Sequence, residues 1–253
     1  MVFVTGDIHG DPTRFNTKIF PEQKEMNKDD YVIICGDFGI IWNYLGEDNN
    51  EKYWLKYLDN KPFTTLFCCG NHENFDRLYQ YPVVDFHGGK AHKISDSVYH
   101  LMRGEIFDLQ GKKFFVFGGA SSHDIRDGIL DSIKDEDLIN EWKYDPFKLF
   151  RINHVSWWER ELPSEEEMKE GIKNLAKHDN KVDYIITHSP YTSLLRQMDG
   201  GSGLYKSDIL TDYLQKIKQK TDYKHWLFGH MHICKTFHWE RATCIYEQII
   251  RVL

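Results

Sequence analysis

Short apolar segments that predict buried β-strands recur along this chain, and five of the six run into a polar motif. Uninterrupted apolar runs of this length are typical of strands that are covered on both faces. The predicted strands cover residues 2–4, 31–35, 64–69, 114–117, 182–186 and 225–228. The polar motifs are Gly6-Asp7-Ile8-His9-Gly10, Gly36-Asp37-Phe38-Gly39, Gly70-Asn71-His72-Glu73, Thr187-His188-Ser189-Pro190 and Gly229-His230-Met231-His232.

Segments with helical spacing fill the intervals between the strands. The predicted helices cover residues 50–58, 165 to about 178, and 207–219. Ser164 and Glu167 form a capping box at the start of the second helix, and Ser207 is the expected N-cap of the third. Residues 236–253 are rich in β-branched and aromatic side chains and predict a return to strand. Strands that alternate with helices indicate a layered α/β fold, and residues 1–253 suit a single domain.

The polar motifs predict a metal site. Ligand sites in open α/β sheets gather at the carboxyl ends of the strands, so the fold brings these motifs together. Glycines beside them allow tight turns and close backbone approach. Carboxylates and imidazoles without cysteine are a ligand set for catalytic divalent cations, as in phosphate-ester hydrolysis. The candidate ligands are Asp7, His9, Asp37, Asn71, His188, His230 and His232.

The order and identity of the motifs resemble those of the calcineurin-like metallophosphoesterases, from Asp7 to His232. The resemblance implies a four-layer α/β/β/α sandwich of two mixed sheets flanked by helices. It also implies two cation sites that share Asp37 as a bridge. On this basis the first site comprises Asp7, His9, Asp37 and His232, and the second comprises Asp37, Asn71, His188 and His230.

The implied activity is hydrolysis of a phosphomonoester or phosphodiester, on a nucleotide-like or other small substrate. A hydroxide that bridges two divalent cations would attack phosphorus, because paired cations lower the pKa of the water they share. His72 would donate a proton to the leaving alkoxide or hydrogen-bond the phosphate. Manganese is the expected metal, and iron, zinc, nickel and cobalt are alternatives for mixed oxygen and nitrogen ligands.

Within this class the sequence favours a phosphodiesterase or nucleotidase over a Ser/Thr protein phosphatase. Protein phosphatases carry an Asp-Arg pair shortly after the second motif, whereas Asp37 is followed here by Phe38-Gly39-Ile40-Ile41-Trp42. The stretches 118–122, 156–158 and 161–164 resemble a group of small bacterial or phage metallophosphoesterases. Protein phosphatase, nuclease on short oligonucleotides and catalytically silent binding scaffold are the alternatives. All seven ligand positions are filled, which disfavours the scaffold.

Residues 118–163 form a long irregular segment, for which two interpretations stay open. Long connections in compact domains are often functional, so the segment is a candidate substrate-side insert or lid. The alternative is a structural insert that packs its own aromatic residues. His123, Arg126 and Arg151 lie in it and are candidate substrate-binding residues, because an arginine can grip a phosphate with two hydrogen bonds.

Charge and cysteine usage narrow the partners and the compartment. The formal net charge is -7, which argues against binding of long nucleic acid. The five cysteines contain no Cys-x-x-Cys pair, and Cys35, Cys68 and Cys69 lie in apolar runs, so buried free thiols are expected. Neither a signal-peptide pattern nor a membrane-length apolar segment is found, and a cytoplasmic setting is expected.

Overall fold

A computed structural model describes residues 1–203 and 205–253. Strands and helices alternate along most of this length. In chain order the strands are β1 (Val2–Thr5), β2 (Tyr31–Ile34), β3 (Thr64–Phe67), β4 (Val83–Phe86), β5 (Gly89–Lys93), β6 (Val98–Leu101), β7 (Glu105–Leu109), β8 (Lys112–Phe117), β9 (Gly128–Leu130), β10 (Phe150–Ile152), β11 (Tyr184–Thr187), β12 (His225–Phe228), β13 (Lys235–Phe237), β14 (Ala242–Cys244) and β15 (Ile249–Arg251). The helices are α1 (Asn49–Asp59), α2 (Phe75–Leu78), α3 (Glu136–Trp142), α4 (Glu165–Lys177), α5 (Thr192–Asp199) and α6 (Ile209–Lys220). Three 3-10 turns lie at Pro12–Phe15, Pro21–Glu25 and Glu159–Glu161.

Two large mixed sheets form the centre of the molecule. The first has the order β15-β1-β2-β3-β6-β5-β4, and the second has the order β13-β14-β12-β11-β8-β7. The strands that precede the polar motifs are parallel to one another within each sheet: β1, β2 and β3 in the first, β11 and β12 in the second. The carboxyl ends of the motif strands in each sheet therefore share one edge.

Four layers follow from the alternation of side chains along the strands. Val4 and Leu66 of the first sheet pack with Phe114 and Leu227 of the second, in a fully buried layer between the sheets. The opposite face of the first sheet, including Phe67, is covered by α1 and the 3-10 turns. The outer face of the second sheet packs against α4, α5 and α6. The α/β/β/α sandwich expected from the sequence is confirmed.

The N-cap of α4 is the residue predicted from the sequence, whereas that of α6 is not. Ser164 and Glu167 make the predicted capping box at the start of α4. Helix α6 is capped by Asp208 rather than Ser207: the Asp208 carboxylate accepts from the Thr211 backbone N–H at 2.8 Å. The Thr211 hydroxyl accepts the Asp208 N–H in return, at 2.9 Å. This reciprocal pair satisfies two donors at the helix start and places the cap one residue later.

The structure also describes the cysteines and the length and apolar character of the helices. Cys35, Cys68 and Cys69 are buried free thiols, as predicted. In the described ranges no helix combines the length and the apolar character needed to cross a membrane.

The 118–163 segment contains a small sheet and one helix. Strands β9 and β10 pair in parallel, apart from the two large sheets, and α3 lies between them in sequence. Buried Arg103 fastens the two ends of the segment together. Its guanidinium donates to the backbone oxygens of Gly118, Arg160, Glu161 and Leu162 and to the carboxylate of Glu167. These contacts use the fixed fork of donors that distinguishes arginine from lysine.

We predict that Arg103→Met destabilises the protein by about 3–5 kcal/mol, because it leaves buried carbonyls and a carboxylate without their donor. The free energy of unfolding in urea measures the loss. Arg196→Met, at an exposed position on α5, is the control and should change it by less than about 0.5 kcal/mol. Equal effects for the two variants would show that the Arg103 contacts do not hold the segment.

Candidate metal centre

The polar motifs meet at one edge of the two sheets, where the parallel strands end. Asp7 and His9 follow β1, Asp37 follows β2, and Asn71 and His72 follow β3. His188 follows β11, and His230 and His232 follow β12. Contacts between motifs of different sheets, such as His188 to Asp37 and His230 to Asp7, hold the two groups together.

One group of four side chains has the arrangement of a cation site. Ligand atoms of Asp7, His9, Asp37 and His232 all lie within 4.8 Å of one another. His232 Nε2 is 3.1 Å from Asp7 Oδ2 and 3.0 Å from His9 Nε2. His9 Nδ1 is 3.8 Å from Asp37 Oδ2. These are the four residues that the resemblance assigned to the first cation.

A second group lies on the other side of Asp37. His188 Nε2 is 3.3 Å from Asp37 Oδ1, and the rings of His188 and His230 are 4.9 Å apart between centroids. His188 Nδ1 contacts the backbone oxygen of Cys35 at 2.7 Å. Because a carbonyl oxygen can only accept, Nδ1 donates in this bond and Nε2 remains as the candidate ligand atom, the usual arrangement at metal-binding histidines.

Two atoms of this second group are buried without a hydrogen-bond partner: Asn71 Oδ1 and His188 Nε2. Burying an unpaired polar atom costs free energy, and most such atoms in native proteins have a partner. Both atoms are of the kind that bind divalent cations. The residues present therefore fit two divalent cations that share Asp37.

The backbone at the site is held in an unfavourable conformation. His9, Asp37, His230 and His232 have φ angles of 45°, 47°, 64° and 49°, in the left-handed region that non-glycine residues avoid. Each such residue costs roughly 1–3 kcal/mol and persists only where the surroundings enforce it. The cost is consistent with residues placed for function rather than for stability.

Two glycines leave room for the buried carboxylates. A Cβ atom on Gly70 would lie 2.0 Å from Asp37 Oδ1, and one on Gly229 would lie 2.1 Å from Asp7 Oδ1. Neither glycine has a positive φ, so space rather than backbone conformation requires the glycine.

Electrostatics at the site favour bound positive charge. Burial by itself disfavours the charged form of His188, but the carboxylates of Asp37 and Asp7 outweigh it and raise its pKa to about 9. The hydrogen bond to Asp7 likewise raises the pKa of His232 above its usual value. The two buried carboxylates thus stabilise a proton on His188 and His232, as they would stabilise a cation, whereas burial lowers the pKa of His9 and of His230.

Glu73 supports the loops and does not belong to the ligand set. Its carboxylate accepts the backbone N–H groups of Phe38 at 2.8 Å, Gly39 at 3.3 Å and Gly70 at 3.4 Å. Burial and the nearby Asp37 raise its pKa to about 8. These contacts join the loop after β2 to the loop after β3.

His72 lies beside the ligands and contacts the 118–163 segment. Its backbone N–H donates to Asp37 Oδ1 at 2.8 Å, and its ring stacks on Trp42 with centroids 5.6 Å apart. Arg151 Nη2 is 3.0 Å from His72 Nε2. Because a guanidinium can only donate, Nε2 is the acceptor in this contact. Burial lowers the pKa of His72 to about 4.

Buried Arg151 is held firmly in place. It donates from Nε to Asp124 Oδ1 at 2.7 Å and from Nη1 to the Ser156 backbone oxygen at 3.1 Å. Among the three substrate-binding candidates it alone contacts His72 in the described structure. The segment thus reaches the centre of the site through β10.

The other two candidates lie around an adjoining cavity of about 630 Å³. The His123 ring is 5.9 Å from the ring of His230. Arg126 is largely exposed and pairs with Asp127 and the Phe147 backbone oxygen. Tyr205 and Lys206 line the same cavity, which opens beside His230 and His232. Its volume is in the range of small-molecule sites.

Three residues near the centre were not among the candidates: Trp42, Ser122 and Glu161. Trp42 stacks on His72, Ser122 contacts Asn71, and Glu161 contacts Ser122. None of them lies in a ligand motif, and their separation in sequence carries no spacing signal. Glu161 is recognisable only after folding, as a buried carboxylate whose pKa burial raises to about 7.

Comparisons with known proteins identify a family and similar proteins. A family model described as calcineurin-like phosphoesterase matches residues 1–234. Over 140 residues, 50% of this chain and 25% of the relative, the sequence is 26% identical to lariat debranching enzyme A of Xenopus laevis. The match therefore spans about a quarter of that relative's length. A crystal structure of phosphopantetheinyl hydrolase from Mycobacterium tuberculosis aligns with a TM-score of 0.44 and 16% identity, over 97% of this chain and 87% of that one.

We predict that Gly70→Ala abolishes binding of divalent cations, because the added methyl group displaces the Asp37 carboxylate. Calorimetric titration with Mn²⁺ measures the loss. Gly111→Ala is a useful control, since a Cβ there meets no atom within 4 Å although φ is 72°. That variant should lose some stability through backbone strain and keep its metal. Normal Mn²⁺ binding by Gly70→Ala would mean that the space at Asp37 does not matter.

Proposed function

Because the chain belongs to the calcineurin-like phosphoesterase family of metal-dependent phosphoester hydrolases, we propose that it is a dinuclear enzyme acting on a small phosphomonoester or phosphodiester, of nucleotide-like size. We propose Mn²⁺ as the metal at both sites, with iron, zinc, nickel and cobalt as alternatives.

One observation carries this proposal: potential ligands from both sheets converge around Asp37, and two of their buried atoms, Asn71 Oδ1 and His188 Nε2, have no hydrogen-bond partner. A scaffold that had lost its metals would have no use for left-handed backbone at four of these residues. The arrangement supports two cations on either side of Asp37, with Asp7, His9 and His232 completing one site. Asn71, His188 and His230 complete the other.

When bound, such a cation pair supplies an activated water and neutralises negative charge on the phosphoryl oxygens. The protein's own contribution is to hold the ligands rigidly and to place polar groups around the phosphorus. The Asn71 and His72 backbone N–H groups both donate to Asp37 Oδ1 at 2.8 Å. They keep the shared carboxylate in one orientation.

His72 and Arg151, which contact each other where the 118–163 segment meets the metal centre, are proposed to act on the substrate. Arg151 is buried, its Nε is held by Asp124, and its Nη2 donates to His72 Nε2. We propose that a phosphoryl oxygen takes over this donor when substrate binds. With that donor moved to the phosphate, His72 Nε2 is proposed to take up a proton from the attacking water and pass it to the leaving oxygen. His123 and Arg126 would contact the rest of the substrate in the adjoining cavity.

The cavity and the charge of the chain favour a small substrate. About 630 Å³ is enough for a nucleotide-sized group, and cationic Arg126 and Lys206 at its wall favour an anionic one. The net charge of -7 disfavours a long polyanion. Residues 118–163 would serve as the substrate-side part of a single domain spanning 1–253. The free thiols support a reducing, cytoplasmic setting.

Metal analysis and two aryl phosphates test this function. The purified protein, supplied with Mn²⁺, is assayed on an aryl phosphomonoester and on a bis-aryl phosphodiester. We expect metal-stimulated turnover of at least one ester, and the ratio of the two rates shows which class is preferred. Absence of bound metal together with absence of turnover would exclude the proposed enzymatic function. Activity confined to phosphopeptides or to oligonucleotides would favour the protein phosphatase or the nuclease.

We predict that Asp37→Asn abolishes turnover and loses metal, because it removes the charged oxygen shared by the two sites. Asparagine tolerates the left-handed φ of 47°, so the fold should persist. Asp179→Asn is a matched control: it makes the same substitution at an exposed residue with φ of 54°. Metal content by mass spectrometry and turnover should be normal in the control. Retained turnover in Asp37→Asn would exclude the bridging role.

We predict that His72→Ala keeps both metals and slows turnover by ~10²–10⁴-fold, the usual effect of removing a general acid. Metal binding should survive because the bond to Asp37 comes from the backbone of residue 72. His238→Ala, at an exposed position outside the motifs, is the control. Full activity of His72→Ala would overturn the role assigned to it.

A further inference from the structure

A chain of buried hydrogen bonds connects the 118–163 segment to one metal ligand. Asn71 Nδ2 donates to Ser122 Oγ in a long bond of 3.4 Å. Ser122 Oγ donates to Glu161 Oε2 at 2.7 Å, and the Ser122 backbone N–H donates to the same oxygen at 3.1 Å. All three side chains are at most 4% exposed. Solvent therefore plays little part in their orientation.

The donor and acceptor roles in these hydrogen bonds decide which end of the Asn71 amide faces the metal centre. The oxygen and nitrogen of an amide are similar in size, so packing alone does not choose between them. Ser122 has one hydroxyl hydrogen, and Glu161 Oε2 accepts it. Towards Asn71 the hydroxyl can then only accept, which selects the amide nitrogen as its partner. Oδ1 points the other way and is buried without a partner.

The direction does not depend on whether Glu161 is ionised. Both hydrogen bonds from Ser122 end on Oε2, whereas Oε1 is buried without a hydrogen bond and lies 3.7 Å from Arg151 Nη1. A proton on the carboxyl group would reside on Oε1, and Oε2 would still accept. The Glu161 backbone is fixed in turn by Arg103, whose Nη2 donates to its carbonyl oxygen at 3.0 Å.

On the basis of the proposed dinuclear centre, we propose that Ser122 and Glu161 are positioning residues that orient the Asn71 amide oxygen toward the second cation. Without them the amide could present its nitrogen, which cannot bind a cation. The 118–163 segment thereby completes one of the two metal sites, in addition to reaching His72 through Arg151. Loss of these hydrogen bonds should weaken the binding of the second cation and leave the binding of the first unchanged.

Titration of Mn²⁺ into metal-free full-length protein tests the proposal. We expect two bound ions in the unmodified protein. Ser122→Ala and Glu161→Ala should each weaken one of them by about 10–100-fold, the usual effect of removing an outer-shell partner of a ligand. With one equivalent of Mn²⁺ lost from the pair, the electron paramagnetic resonance signal of two coupled ions should give way to that of an isolated ion.

Two conservative variants separate orientation from simple loss of structure. Ser122→Thr keeps the hydroxyl, and Glu161→Gln keeps an oxygen that can accept both bonds from Ser122. Both should retain two ions with normal affinity. Ser193→Ala removes an exposed serine hydroxyl on α5 and should have no effect. Thermal melting of each metal-free variant shows whether it is folded.

The outcomes distinguish this inference from the proposed function. Fewer than two Mn²⁺ ions in the unmodified protein would overturn the dinuclear centre and the inference with it. Two ions in the unmodified protein, with unchanged affinities in a folded Ser122→Ala, would overturn the inference alone. Equal weakening of both ions, or failure of Ser122→Thr and Glu161→Gln to restore binding, would show a general structural role and would also overturn it.

Discussion

Two carboxylates buried where the two sheets meet determine the local structure around them. Asp7 and Asp37 are at most 2% exposed, and burial of an unpaired charge is costly. The protein compensates part of this cost with backbone donors: His230 N–H to Asp7, and the N–H groups of Asn71 and His72 to Asp37. His188 and His232 lie 3.3 Å and 3.1 Å from Asp37 and Asp7 and compensate a further part, and bound cations would complete the compensation.

Other unusual features of the site follow from packing ligands so closely around these two groups. His9, Asp37, His230 and His232 adopt left-handed backbone in the short loops that bring the ligands together. Gly70 and Gly229 are required because a methyl group would occupy the position of a carboxylate oxygen. Stability is thus given up locally, and the fully buried layer between the sheets holds the loops in place.

The 118–163 segment is integrated with the site rather than appended to it. Arg103 joins its two ends, Arg151 reaches His72, and Ser122 reaches Asn71. Its inner part contacts residues of the site, whereas its outer part exposes apolar side chains such as Tyr144 and Phe147. The segment thus provides polar groups to the site from its inner part.

The sequence by itself determined the strands that run through the buried core and the residues at their carboxyl ends. Continuous apolar runs identify buried strands, and parallel strands bring their ends to one edge, so the candidate ligands could be named before any contact was known. Strands β4 to β7 were not predicted, because polar residues such as Asp85 and His100 interrupt their apolar pattern. The N-cap of α6 was displaced by one residue, since Asp208 and Thr211 pair reciprocally.

Only the tertiary structure decided how Arg151, Ser122 and Glu161 relate to the site. Their contacts join residues 39 to 79 positions apart in sequence, which no local periodicity encodes. The orientation of an amide and the partner of a guanidinium depend on which donors and acceptors the folded chain brings within about 3 Å. Motif order therefore indicated the chemistry, and three-dimensional packing selected the groups that orient it.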